Sequence, residues 1–135
     1  MQLKQRDLRT PFNGENSRKI RARVDRISSD QATAADLTTT IVSDVEGQVQ
    51  NLYLVVAAVA ATGESMEIDV TVNGTSILDD PYTYDEGSAP ASVIQIPVSK
   101  DVNIEVGDVI AIVRDYTAGG GATPIGASKV VLEVA

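Results

Sequence analysis

"MEIDVTV", residues 66–72, decides the fold. Met66, Ile68, Val70 and Val72 alternate with Glu67, Asp69 and Thr71, a period of two. A β-strand turns successive side chains to opposite faces, so this stretch reads as a strand with an apolar inner face and a wet outer one. "KVVLEVA" (129–135) repeats the pattern, with Val130, Leu132 and Val134 inward. "KIRARVDRI" (19–27) sets Ile20, Ala22 and Val24 against Arg21, Arg23 and Asp25, an apolar face backed by a charged one. "LYLVVAAVA" (52–60) is apolar on both parities, which predicts a central strand covered on both sides. "LTTTIV" (37–42), "ASVIQIPV" (91–98) and "DVIAIVRDY" (108–116) complete the set.

Turn signals separate these runs. "ATGES" (61–65) joins the central strand to "MEIDVTV", and Asn73-Gly74 is a tight-turn pair because both residues tolerate positive φ. Gly107-Asp108 divides "VNIEV" from "VIAIV". "LDDPYTYDEGSAPA" (78–91) and "TAGGGATPIGAS" (117–128) read as longer loops, and "SDQATAAD" (29–36) as one helical turn at most. No stretch sustains a 3.6-residue apolar period. The expected fold class is all-β, a single β-sandwich of about eight antiparallel strands.

The 135 residues suit one domain with a core of its own. Cysteine and histidine are both absent, which excludes disulfides, thiolate metal sites and the Ser-His-Asp and Cys-His nucleophile systems. An enzyme is therefore not expected, and neither a cofactor nor a bound metal is. "MQLKQRDLR" lacks the apolar core of a signal peptide, and Pro11, Asn13-Gly14 and Glu15 interrupt any amphipathic transit helix. "GQVQNLYLVVAAVAATG" (47–63) falls short of a bilayer span. These features predict a soluble protein made in the cytoplasm, with no membrane partner.

Charge is segregated. The formal net charge is −8, yet eight of the eleven basic residues lie in the first 26 positions: Lys4, Arg6, Arg9, Arg18, Lys19, Arg21, Arg23 and Arg26. Set against Asp7, Glu15 and Asp25 they leave that segment at +5, and the remainder at −13. Residues 1–16 hold few apolar anchors (Leu3, Leu8, Phe12), so they are read as an extended basic N-terminal arm ahead of a sandwich domain at 17–135. Two readings of the arm stand open: a disordered tail, or a segment that orders on a partner or a neighbouring subunit. The basic strand that follows favours the second. Nucleic acid is not the expected partner, because the acidic body repels a duplex and the tyrosines lie far from the basic residues.

Three motifs invite a chemical reading. "GATPIGASK" (121–129) has the glycine spacing of a phosphate loop, but Ala127 stands where the Lys belongs and Lys129 is displaced by two. "DDPYTYDEG" (79–87) gathers four carboxylates and two tyrosines, without the alternate spacing of a calcium loop. It reads mainly as a solvated or protein-contact loop, with Tyr82, Tyr84 and Asp85 as candidate glycan or protein contacts. Asn73-Gly74-Thr75 matches a glycosylation pattern that the turn explains better.

From Val49 onward, "VQNLYLVVAAVAATGESMEIDVTVNGTSIL", then "IEVGDVIAIV" and the final "KVVLEV", resemble a module of structural proteins in tailed bacteriophages. The resemblance covers about two-thirds of the chain and rests on short turn and strand motifs in order. It implies a jelly-roll sandwich, a homotrimer and the role of a capsid decoration (cement) protein on the virion exterior. The partner would be the major capsid protein. No collagen-like or coiled-coil repeat accompanies it, which favours decoration over a fibre subunit. On physical grounds, the eight basic residues would contact the capsid or a neighbouring subunit, where the planar Arg fork suits carboxylates. The strand face around Tyr53 and Val55 would meet neighbours. The alternative is a receptor- or glycan-binding module of a fibre or neck component, using the 78–91 loop.

Overall fold

The computed structural model describes residues 23–88, 93–99, 101–120 and 125–135. Among the described residues ten strands run β1 (Asp25–Gln31), β2 (Leu37–Val42), β3 (Gly47–Val56), β4 (Ser65–Val72), β5 (Thr75–Ser76), β6 (Tyr82–Asp85), β7 (Val93–Ile96), β8 (Asn103–Ile104), β9 (Val109–Thr117) and β10 (Ser128–Val134). They form two antiparallel sheets. One has the order β2–β9–β4, with β5 and β6 both on the far side of β4. The other has the order β1–β10–β3, with β7 and β8 both on the far side of β3.

The pairings nest: β1 with β10, β2 with β9, β3 with β7, β4 with β6. A single antiparallel ribbon, closed near β5–β6, is thus rolled so that β1 to β4 alternate between sheets. The pairs β3–β10 and β4–β9 knit the roll together. This is jelly-roll topology.

The rolled ribbon has two apolar inner faces to bury, and the period-two stretches supply them. Met66, Ile68 and Val70 of β4 and Ile110 and Ile112 of β9 meet Leu52 and Leu54 of β3 and Val130, Leu132 and Val134 of β10, all fully buried. Burying side chains of this size stabilises by about 1.5–3 kcal/mol each before conformational entropy is subtracted. The turns follow their expected chemistry. Asn73 (φ 51°) and Gly74 (φ 86°) both sit at positive φ, as a type I′ hairpin requires. Gly47 lies so close to the chain end that a Cβ there would stand 2.7 Å from the Ala135 carbonyl oxygen.

Four expectations need correction. The 78–91 stretch is not all loop: Tyr82–Asp85 form β6 because Thr83 and Tyr84 register against Glu67 and Met66. In β1 the inward parity is Ile27 and Ser29, while Val24 is exposed, because pairing with β10 places Ile27 opposite Leu132. Residues 29–31 belong to that strand and 32–36 make bends, so "SDQATAAD" holds no helical turn. The central strand starts earlier and stops at Val56, where its partner β10 runs out at Ser128. Its outward residues Tyr53 and Val55 are only half-buried. The arm at 1–16 and the residues Ile20 and Ala22 lie outside the described residues.

One interior position breaks the apolar pattern. Arg114 follows Ile110 and Ile112 on the inward parity of β9 and is 1% exposed. Its guanidinium crosses to the other sheet. Nε donates to Ser128 Oγ (3.1 Å), one terminal nitrogen to Ser29 Oγ (2.8 Å) and the other to the Ser29 carbonyl (2.6 Å). Ser29 Oγ in turn shares a hydrogen bond with Thr39 Oγ1 of β2. Burial pushes the Arg114 pKa below its ordinary value, while the charge of Asp30 opposes the shift. A buried charge persists only when its donors are satisfied, and here two serines and one carbonyl replace a carboxylate.

Arg114→Ala should lower stability by about 3 kcal/mol, since it opens a cavity and removes the donors to the Ser29 carbonyl and the Ser128 hydroxyl. Arg114→Lys keeps the charge but cannot serve both strands, and should cost about 1–2 kcal/mol. Urea unfolding midpoints measure both, and a loss under about 0.5 kcal/mol for Ala would show that the clasp contributes little.

Candidate contact surfaces

The outer face of the β1–β10–β3–β7 sheet carries a polar ladder that crosses all four strands. Arg26 reaches Glu133 Oε2 at 2.9 Å, Asn51 Nδ2 donates to Glu133 Oε1 at 3.0 Å, and Gln95 Nε2 donates to Asn51 Oδ1 at 2.9 Å. Strand register sets this line, with Glu133 opposite both Arg26 and Asn51. One row along, Val131 faces Tyr53, which faces Gln95; beyond it Val55 faces Val93. Lys129 and Asp30 approach to 3.7 Å at the loop end of this face. There an apolar groove of about 380 Å³ opens between Ala32, Val55, Val56, Ala57 and Ala127. Charges on this sheet are mixed and paired.

The outer face of the other sheet differs. Its outward positions include Glu67, Asp69, Asp85 and Asp115, and the one basic residue within its five strands, Arg114, points inward. Glu67 and Asp115 stand directly opposite each other on β4 and β9. Like charges so placed repel, a cost accepted on a face turned to water or to a cationic partner.

Few of the residues singled out in the sequence are brought together. Lys4, Arg6, Arg9, Arg18, Lys19 and Arg21 lie outside the described residues. Arg23 is exposed, with Nε donating to Asp25 Oδ1 at 3.1 Å. Arg26 is committed to Glu133 across the β1–β10 pair. Of the three candidate loop contacts, Tyr84 alone is withdrawn from the surface. Tyr84 is 0% exposed, its hydroxyl donating to the Ala58 carbonyl at 3.0 Å. Burial, then the charges of Tyr82 and Glu64, raise its pKa. Its ring is closed to a sugar. Tyr82 is half-buried, and Asp85 is exposed and folds back on Gly87 N and Ser88 Oγ. Among the described residues no three acidic side chains converge as a metal cage.

Two features escaped the sequence reading. Arg114 was signalled by its parity with Ile110 and Ile112. Glu64 carried no such signal: it is buried beneath the 57–64 loop, accepting from Ala61 N at 2.9 Å and from the Tyr116 hydroxyl at 2.5 Å. These bonds tie the loop between sheets to the end of β9.

At the opposite end the Asn73-Gly74 turn clasps the 105–108 turn. Asn73 Nδ2 donates to Asp108 Oδ1 (3.0 Å), Val109 N to Asn73 Oδ1 (2.9 Å) and Glu105 N to Asp108 Oδ2 (2.8 Å). The Asn73 bond first, then the backbone bond, hold the Asp108 pKa below its usual value. A depressed carboxylate pKa contributes stability above the unfolded value near ~4 and loses it as pH falls through the folded pKa. Asp108→Asn should therefore be less stable than the parent at pH 7, and the gap should close below about pH 4. Thermal unfolding from pH 7 to 2 reads this directly; a gap that stays constant would mean the charge plays no part. No protein-family profile matches this chain, and no curated protein matches it either.

Proposed function

We propose that this chain is a structural virion protein: a homotrimeric jelly roll that binds the outside of a phage capsid and stabilises it. The observation that carries the reading is charge segregation on a filled sandwich. Eight of eleven basic residues precede Ile27, while the body behind them is acidic and one sheet presents carboxylates alone. The interior is occupied by packed aliphatic side chains, so contacts are offered by outer faces and by the basic segment. Under this reading the basic segment meets acidic capsid surface, and the acidic face turns to solvent, keeping decorated particles apart. Each exposed ion pair supplies only about 0–1 kcal/mol, so three linked copies provide the hold through avidity. The glycan-binding alternative is left with Tyr82 as its one candidate ring, since Tyr84 is in the core.

Co-sedimentation with phage particles from the protein's own source tests the proposal. The full chain should pellet with particles at low salt and be released as salt rises. Replacing Lys4, Arg6 and Arg9 together by Ala should weaken binding about tenfold at low salt and flatten the salt dependence. Binding indifferent to both changes would remove the electrostatic anchor, and failure of the parent chain to pellet would end the decoration reading.

A further inference from the structure

The described chain begins at an exposed apolar surface with an acidic rim. Among the described residues seven large apolar side chains are exposed, and three of them gather here: Val42 (64%), Val106 (65%) and Val109 (41%). Val42 and Val109 are direct cross-strand partners on β2 and β9. Val106 stands in the turn just before Val109, and that turn is bonded to the end of β2, Ser43 N donating to the Asp108 carbonyl and Gly107 N to the Ser43 carbonyl. Scattered valines need no explanation, whereas grouped ones rimmed by charge mark an interaction surface.

The rim is negative. Arg23, Asp25, Asp44, Val45, Glu46 and Val106 line a shared groove at this end. Arg23 is taken by Asp25, and among the described residues Asp44, Glu46 and Glu105 form no ion pair. The six residues that join directly to Arg23 are "SRKIRA" (17–22), one large aliphatic residue among three cations with no acid. At no more than about 3.6 Å per residue, Ile20 lies within about 11 Å of the start of the described chain. The surface lacks what this segment carries, an apolar anchor and positive charge, and the segment starts beside it.

We infer that residues 17–22 seat on the Val42–Val106–Val109 surface of their own chain. Ile20 covers the valines, and Arg18, Lys19 and Arg21 face Asp44, Glu46 and Glu105. The basic segment is then two devices. The part next to the sandwich is held by its own domain, and Lys4, Arg6 and Arg9 are the part left for a partner. The inference concerns the isolated chain and stands whether or not a capsid is that partner.

The absence of cysteine makes a clean test available. Ile20→Cys and Val106→Cys are introduced together in the full-length chain, and disulfide formation with oxidised glutathione is timed. A second version adds Asp44→Asn, Glu46→Gln and Glu105→Gln, which leave the backbone bonds of the 105–108 turn in place. Seating in the same chain predicts rapid intramolecular closure, slowed about tenfold by the three neutral substitutions, because effective concentration falls when the segment is only tethered. Equal rates in the two versions would mean tethering alone brings the cysteines together, and would overturn the inference. Disulfides formed between chains would overturn it differently, assigning the surface to the segment of a second copy.

Discussion

The contact between two inner faces, β4–β9 on one side and β3–β10 on the other, is the constraint everything else obeys. Each face is built from side chains at every second residue, so neither strand register nor sheet order can shift without turning aliphatic groups to water. The four central strands therefore fix the roll, and the shorter strands β5, β6, β7 and β8 attach to its margins. Arg114 works within the same constraint. It occupies an inward position at the loop end of β9, and the neighbouring strands answer it with Ser29 and Ser128 on their own inward positions. The polar exception is thus distributed over three strands in two sheets, and it specifies which strands face one another where aliphatic packing alone would be less selective.

Legibility in the sequence followed how local the determining physics is. Met66–Val72 and Val130–Val134 were readable because alternation and burial coincide, and Asn73-Gly74 because its backbone conformation is set by two residues. Strand β6 was hidden inside an acidic, proline-containing stretch, since only its partner Ser65–Ile68 gives four such residues a reason to extend. Its consequence for the surface, the loss of Tyr84 to the core, was hidden with it. The register of β1 was misread for a similar reason: "KIRARV" offers its own alternation, but Leu132 decides which parity enters the core. Arg114 is legible only in its spacing from Ile110 and Ile112, which sets a charge on the inward parity of β9. Of the basic set, the structure speaks for Arg23 and Arg26 alone, and both hold carboxylates of their own chain.

The two broad faces of the sandwich have different electrostatic characters. One is crossed by Arg26, Glu133, Asn51 and Gln95 in a continuous line, with Tyr53 and Val55 beside it. Such a face is charge-balanced and partly apolar, so it can approach another protein without a large desolvation penalty. The other concentrates Glu67, Asp69 and Asp115 and resists close approach by anything anionic. A molecule of this kind is sided, and the proposed capsid role needs sidedness: one surface to be held, another to be shown to the medium.

The stitching of Ala135 to Gln48, by hydrogen bonds of 2.7 and 2.9 Å, has a geometric consequence. Because Val134 also pairs with Asp25, the first described strand begins where the last one ends, next to Gly47 and the 43–46 connection. The loops at 32–36, 57–64 and 118–120 occupy the other pole, away from Asp25 and Ala135. Anything fused to either end of the sandwich would leave from a single pole, as from the stem of a mushroom. A peptide spliced into the 57–64 loop would sit on the cap, with the length of the sandwich between it and the stem.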